Sequence, residues 1–242
     1  MSNITRLVVN GDSYMELYAK GGGHIDLATR LSLPNSKSLA IGGSPDTRII
    51  RTSLKDSYLT NESTLYILGV GFLSRWEVPI LKVDSEEEFE GRWTNPQNQD
   101  YVDRWEHHWG RSETAQLIEL KLKSDFYSVP DRLEDLMYRL VAMISDLHAR
   151  GHRVLIYQQA DDIYQRYLER NTMRLFKNNP IFIEGLTWLS VPWQLKNGIP
   201  PNPLPANAPY KVPDSIRHPM AGRHELLNEF LHNYIVEHNI LK

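Results

Sequence analysis

Cysteine is absent from this 242-residue chain. Disulfide staples, thiolate nucleophiles and cysteine-ligated zinc are therefore excluded. Long apolar runs are missing too. Arg6 is followed only by Leu7-Val8-Val9 before Asn10-Gly11, too short for a signal-peptide core. No stretch approaches the apolar length of a membrane span. A cytoplasmic protein is the expectation. Charge of one sign is not in excess either: the formal net charge is -3. Neither nucleic acid nor an anionic membrane is expected as partner. Several motifs are lacking as well. The nine histidines include no His-Glu-x-x-His or comparable ligand spacing, so no metal or other cofactor is expected. The P-loop, the dinucleotide fingerprint and the Gly-x-Ser-x-Gly elbow do not occur.

What is present is ordinary in bulk: 41% hydrophobic and 24% charged residues, as in a soluble globular protein. The length suits one large domain. Three short runs rich in Val, Ile, Leu and Tyr read as buried parallel strands: Arg6–Asn10, Thr64–Val70 and Arg153–Gln158. Weaker strands are expected at Lys37–Ile41 and Ile181–Leu186. Helices are predicted over Pro45–Leu59, opened by Ser44-Pro45-Asp46, and over Asp131–Arg150. The second carries Leu133, Leu136, Met137, Leu140, Val141, Ile144 and Leu147 at helical spacing and stops at Gly151. A last helix, His224–Asn239, aligns Leu227, Phe230, Leu231, Tyr234 and Ile235. Strands alternating with helices imply an α/β fold, a three-layer α/β/α sandwich around a mostly parallel sheet. Residues 1–242 then form a single domain with two embellishments. Residues 82–128, polar and aromatic with four of the six tryptophans at or near them, read as an inserted cap; residues 191–213, with seven of the fourteen prolines, read as a stiff extended loop near the site. Gly21-Gly22-Gly23-His24 reads as a flexible loop near the pocket mouth.

Four separated features carry chemistry. Gly11-Asp12-Ser13 ends the first strand, where a sharp turn presents a small hydroxyl beyond the sheet, the usual ligand position in such folds. Gly42-Gly43-Ser44 follows the second strand and precedes a helix, so its backbone N–H groups suit an oxyanion; a tight turn needing glycine for its backbone alone is the bland alternative. Gly69-Val70-Gly71 follows the third strand. Asp214-Ser215-Ile216-Arg217-His218-Pro219 leads into the last helix and could supply a base, since a serine hydroxyl is a poor nucleophile until a neighbouring base takes its proton.

These blocks, in this order, resemble the SGNH hydrolases, also called the GDSL esterase/lipase superfamily. The similarity looks closest to small SGNH-like proteins of phages and environmental bacteria. It rests on Val9-Asn10-Gly11-Asp12-Ser13-Tyr14, on Gly42-Gly43-Ser44-Pro45-Asp46-Thr47-Arg48-Ile49-Ile50-Arg51-Thr52, on the glycine turn at Gly71 and on Asp214…His218-Pro219. The resemblance implies a flavodoxin-like sandwich with Ser13 as nucleophile, His218 as base and Asp214 orienting His218. The backbone N–H groups of Ser13 and Gly43 would bind the oxyanion. It also implies a structural ion pair between Arg75 and Glu77 near the site. Two departures stand out. Gly71 occupies the place where the family has an oxyanion-binding asparagine, a loss worth on the order of a hundredfold in rate. The acid lies four residues before the histidine instead of two or three, so either Asp214 or a backbone carbonyl would orient His218. The implied activity is that of a serine esterase acting on a carbohydrate or other small-molecule ester, such as an O-acetyl group. Acyl transfer by the same residues and a catalytically weakened binding or assembly module are the alternatives. Oligomeric state is not legible in the sequence.

Overall fold

The computed structural model describes residues 4–41, 44, 46–70, 78–79, 93–94, 129–158, 181–183 and 224–242. Five strands form one parallel sheet: β1 (Arg6–Asn10), β2 (Asn35–Ser38), β3 (Thr64–Val70), β6 (Arg153–Gln158) and β7 (Phe182–Ile183), in the spatial order β2-β1-β3-β6-β7. Two further short strands, β4 (Val78–Pro79) and β5 (Trp93–Thr94), pair antiparallel in a separate ribbon. Among the described residues the helices are α1 (Ser13–Lys20), α2 (Gly23–Arg30), α3 (Asp46–Leu59), α4 (Val129–Ala149) and α5 (Glu225–Glu237).

Side chains of successive strand residues point to opposite faces, and here each face has its own core. Leu7, Val9, Leu65, Ile67, Leu155 and Tyr157 meet Met15 and Tyr18 of α1, Leu27 and Ala28 of α2, and Leu227, Leu231 and Ile235 of α5. Val8, Tyr66, Leu68, Val154 and Ile156 meet Ile49 and Ile50 of α3 and Leu136, Met137, Leu140, Met143 and Leu147 of α4. Two apolar faces, each covered by helices, make the three-layer α/β/α sandwich. They also explain the uninterrupted burial of β1 and β3, which leaves no room for polar alternation. The strand order is the flavodoxin-like one.

The strong elements fall where the sequence places them. β1, β3 and β6 match their runs residue for residue, and α3, α4 and α5 differ from expectation by one or two residues at their ends. The second strand is displaced. It pairs over Asn35–Ser38 instead of Lys37–Ile41. It lies at the sheet edge, where polar side chains including Lys37 are favoured over apolar ones, so hydrophobicity was the wrong guide. Extended pairing nevertheless continues beyond it: Leu39 N donates to Val9 O at 2.9 Å and Ile41 N to Gly11 O at 3.3 Å.

The loop expected at Gly21–His24 is instead an ordered corner between α1 and α2. Gly22 caps α2 with φ +82°, in the left-handed region that glycine tolerates. A Cβ on Gly23 would stand 2.3 Å from the Tyr18 ring. The remaining expected strand residues 184–186, all of 191–213, and all of 82–128 except β5 lie outside the described residues. Among the described residues, no helix is long and apolar enough to cross a membrane.

Candidate active site

In an open parallel sheet, ligands settle beyond the carboxyl ends of the strands, at the point where the strand order reverses. Here that crevice lies between β1 and β3. The chain leaving β1 passes through α1 and α2 to β2 on one side of it, whereas the chain leaving β3 leads to β6 on the other. Gly11-Asp12-Ser13 is the continuation of β1 into this crevice. Gly11 and Asp12 are buried, and Ser13 is the first residue of α1. The helix is entered at once, with Glu16 N donating to Asp12 O at 2.9 Å. The Ser13 backbone N–H thus belongs to a first helical turn, whose donors have no intrahelical acceptor and carry the positive end of the helix dipole.

The turn is anchored by Asn10. Its side chain is fully buried. Asn10 Oδ1 accepts from Gly11 N at 2.9 Å, and Asn10 Nδ2 faces Ile49 O at 3.0 Å, Thr52 Oγ1 at 2.8 Å and Ser53 Oγ at 2.9 Å, all on α3. The Ile49 carbonyl can only accept and the Gly11 N–H can only donate, so the amide has one workable orientation.

The glycine turn after β2 is held from both flanks. Ile41 N bonds Gly11 O of the Gly11-Asp12-Ser13 turn. On the other side, Ser44 Oγ donates to Ile41 O at 2.6 Å, and Arg48 Nη1 donates to both Ser44 Oγ and Leu39 O at 3.2 Å. Ile41, the residue before Gly42-Gly43, therefore lies directly beside Gly11. Of the residues the sequence singles out, Ser13 is the one whose backbone falls among the described residues. Gly43, Gly71, Arg75, Glu77, Asp214 and His218 lie outside them. Gly71 directly follows Val70, the buried last residue of β3.

The fourth block is approached through α5. His224, which precedes that helix, packs edge-on against Tyr18 with ring centroids 6.4 Å apart, and its Nδ1 would lie 3.3 Å from a Cβ on Gly21. Asn228 in the first turns of α5 is fully buried. It accepts from Tyr18 Oη at 2.6 Å and donates to Gly23 O at 3.0 Å and Asp26 Oδ2 at 2.7 Å. The Asn228 hydrogen bond, with Arg30, holds the Asp26 carboxyl below its ordinary range, while burial pushes the Tyr18 hydroxyl well above its own. This node ties α5 to the end of α1 opposite Ser13. Sequence reasoning missed both buried asparagines. The signal for Asn228 was a polar residue set among Leu227, Leu231 and Ile235 on a buried stripe; that for Asn10 was a polar end to an otherwise apolar strand.

Away from the crevice, an open groove of about 710 Å3 runs between α3 and α4, lined by Ile50, Leu54, Tyr58, Arg139 and Met143 among others. Among the described residues that line it there is no serine and no histidine. Among the described residues, no group of three or more His, Asp or Glu side chains is arranged to hold a metal ion.

No family model matches the chain, and no curated protein matches it. Among solved structures, the crystal structure of TesA aligns with a TM-score of 0.47 at 14% sequence identity, covering 95% of this chain and 97% of that one. The strand order and the two core faces carry the fold assignment on their own.

Proposed function

We propose that the protein is a serine hydrolase of SGNH type that cleaves a small ester through an acyl-enzyme at Ser13. One observation carries the reading. Ser13 opens a helix at the switch-point end of β1, and the Ile41–Gly11 hydrogen bond holds Ile41, the residue before Gly42-Gly43, against the turn that leads into it. Attack of a serine oxygen on an ester carbonyl moves negative charge onto the carbonyl oxygen. Backbone donors from two adjoining turns, Ser13 and Gly43, are suited to receive it, and each such donor is worth about 2.7–4 kcal/mol of barrier.

His218 is proposed as the base, oriented by Asp214. The reach is sufficient. His224 contacts the far end of α1, and the eight residues of that helix span about 12 Å at 1.5 Å each. The six steps from His218 to His224 span up to about 20 Å when extended. His218 takes the Ser13 proton as the serine oxygen bonds to the carbonyl carbon, and returns it to the departing alcohol. Water, deprotonated by the same imidazole, then releases the acid and restores Ser13. Another hydroxyl in place of that water would make the reaction an acyl transfer. The substrate class we favour is an O-acetyl or short acyl ester on a carbohydrate or other small metabolite. Residues 82–128 and 191–213 supply the aromatic and proline-rich chain suited to a cap over it. Gly71, standing where the resemblance leads one to expect asparagine, favours a second reading: a weakened enzyme retained as a binding or assembly module.

Intact mass after exposure to a fluorophosphonate separates the two. The hydrolase reading expects one adduct on the wild type, none on Ser13→Ala and slow labelling of His218→Ala. A folded wild type that takes no adduct defeats the reading and puts the binding module first.

A further inference from the structure

The nucleophile turn and the glycine turn come from different strands, yet their N–H groups must converge on one oxygen. Misplacement by about 1 Å is enough to cost on the order of a hundredfold in rate. Something has to set their separation. The Ile41–Gly11 backbone bond, at 3.3 Å, is a long one. A second polar connection, made by side chains, runs through Asn10. Its Oδ1 holds the Gly11 N–H two residues before Ser13, and its Nδ2 reaches Ile49 O, Thr52 Oγ1 and Ser53 Oγ on α3, the helix that begins immediately after the glycine turn. Thr52 Oγ1 spends its own proton on Arg48 O at 2.8 Å, so it is an acceptor toward Asn10. Arg48 in turn grips Leu39 O and Ser44 Oγ, on the two sides of Gly42-Gly43. Hydrogen bonds through Thr52 and Arg48 therefore link Asn10 to Leu39 and Ser44, on either side of Gly42-Gly43. Every side chain in this set is nine-tenths or more buried, where such a network is fully directional.

We infer that Asn10 is a positioning residue for the proposed reaction: it holds the Ser13 turn against α3 and thereby sets where the Ser13 oxyanion donor stands. The inference rests on the hydrolase reading above. Asn10 touches no reacting atom. Its effect is on the developing oxyanion, and so on turnover more than on ground-state binding.

The test compares wild type, Asn10→Ala and the double variant Thr52→Val/Ser53→Ala, which leaves Asn10 in place and removes two of its three partners on α3. Each is assayed well below its melting temperature for fluorophosphonate labelling rate and for kcat and KM on p-nitrophenyl acetate. Positioning expects a fall of about tenfold or more in labelling rate and kcat for Asn10→Ala and a smaller fall for the double variant. KM and the shape of the pH profile stay unchanged in both. Variants that melt earlier but label and turn over as wild type would overturn the inference and leave the hydrolase reading standing. A fall in KM-dependent terms alone would also overturn it. A wild type that takes no label defeats both together. If Asn10→Ala does not fold, the double variant decides by the same criteria.

Discussion

Arg6 and Asp56 show how a single charge can be kept inside the sandwich. Arg6 meets Asp56 through two bonds of 2.9 and 3.0 Å at the amino end of the sheet, and Lys37 and Tyr66 Oη complete the carboxylate at 2.8 and 2.9 Å. Burial opposes ionisation of Asp56, yet these three partners outweigh it and hold the carboxyl below its ordinary range. Burial and the Asp56 charge push the Tyr66 hydroxyl up. The cluster sits at the opposite end of β1 from Ser13, so its work is structural. Asp56→Ala removes both close bonds to a buried guanidinium, leaving it the half-exposed Glu62 carboxylate at 3.9 Å, and is expected to cost about 3–5 kcal/mol, read as a lower midpoint in urea unfolding. A loss under about 1 kcal/mol, the range of an exposed pair, would contradict that account.

At the scale of elements, the α1–α2 corner is decided by fit. Gly23 lies under the Tyr18 ring, and Tyr18 is held there by Asn228 of α5. Gly23→Ala should destabilise by about 1–3 kcal/mol through overpacking. In a Tyr18→Ala background that penalty should largely vanish, because the obstructing ring is gone; additive losses in the double-mutant cycle would rule out this explanation. The far end of α4 follows simpler rules. Gly151 adopts φ +82°, Gly151 N bonds His148 O and His152 N bonds Leu147 O, the glycine-terminated helix end that the sequence announces. Both helices flanking Gly21–Gly23 escaped sequence reading for a related reason. At eight residues each they are too short for a clear apolar period, and three consecutive glycines suggest a loop. The tertiary fit of Tyr18 and Asn228 overrides that local preference.

For the molecule as a whole, acid should act in two separate windows. His152 is buried and accepts a hydrogen bond from Thr64 N at Nδ1. Burial, then the nearby Arg150 charge, lowers its pKa from the ordinary 6.5. The unfolded chain therefore takes up this proton at a higher pH than the folded one. Stability falls as pH drops below about 6.5 and continues to fall until the lower folded value is passed. Burial shifts His24 and His148 in the same direction. Asp56 acts lower: its stabilisation holds above its ordinary value of 3.8 and is lost as pH falls through the depressed folded value. Urea unfolding at pH 7.5 and pH 5 should show a loss of stability in wild type and a smaller one in His152→Asn, which keeps an acceptor for Thr64 N. An equal loss in both proteins would exclude His152 as a contributor. In the hydrolase reading, labelling of Ser13 should rise with pH across the range where an imidazole gives up its proton, independently of the folding transition.

The amino-acid sequence determined the layer architecture, because β1, β3 and β6 are continuous apolar runs and α3, α4 and α5 carry apolar stripes at helical spacing. Such patterns have only one way to bury both faces of a parallel sheet. It also marked the end of β1 as a candidate site, since Gly-Asp-Ser stops a buried strand at the edge where ligands collect. Only the tertiary structure decided the strand order, and with it the switch point between β1 and β3. Pairing of strands separated by fifty or more residues leaves no trace in local periodicity. The same holds for the register of β2, whose polar residues pair at an exposed edge, and for the partners of Asn10 and Asn228. A buried amide is bound by whichever groups packing brings to it, from α3 in one case and from α1 and α2 in the other.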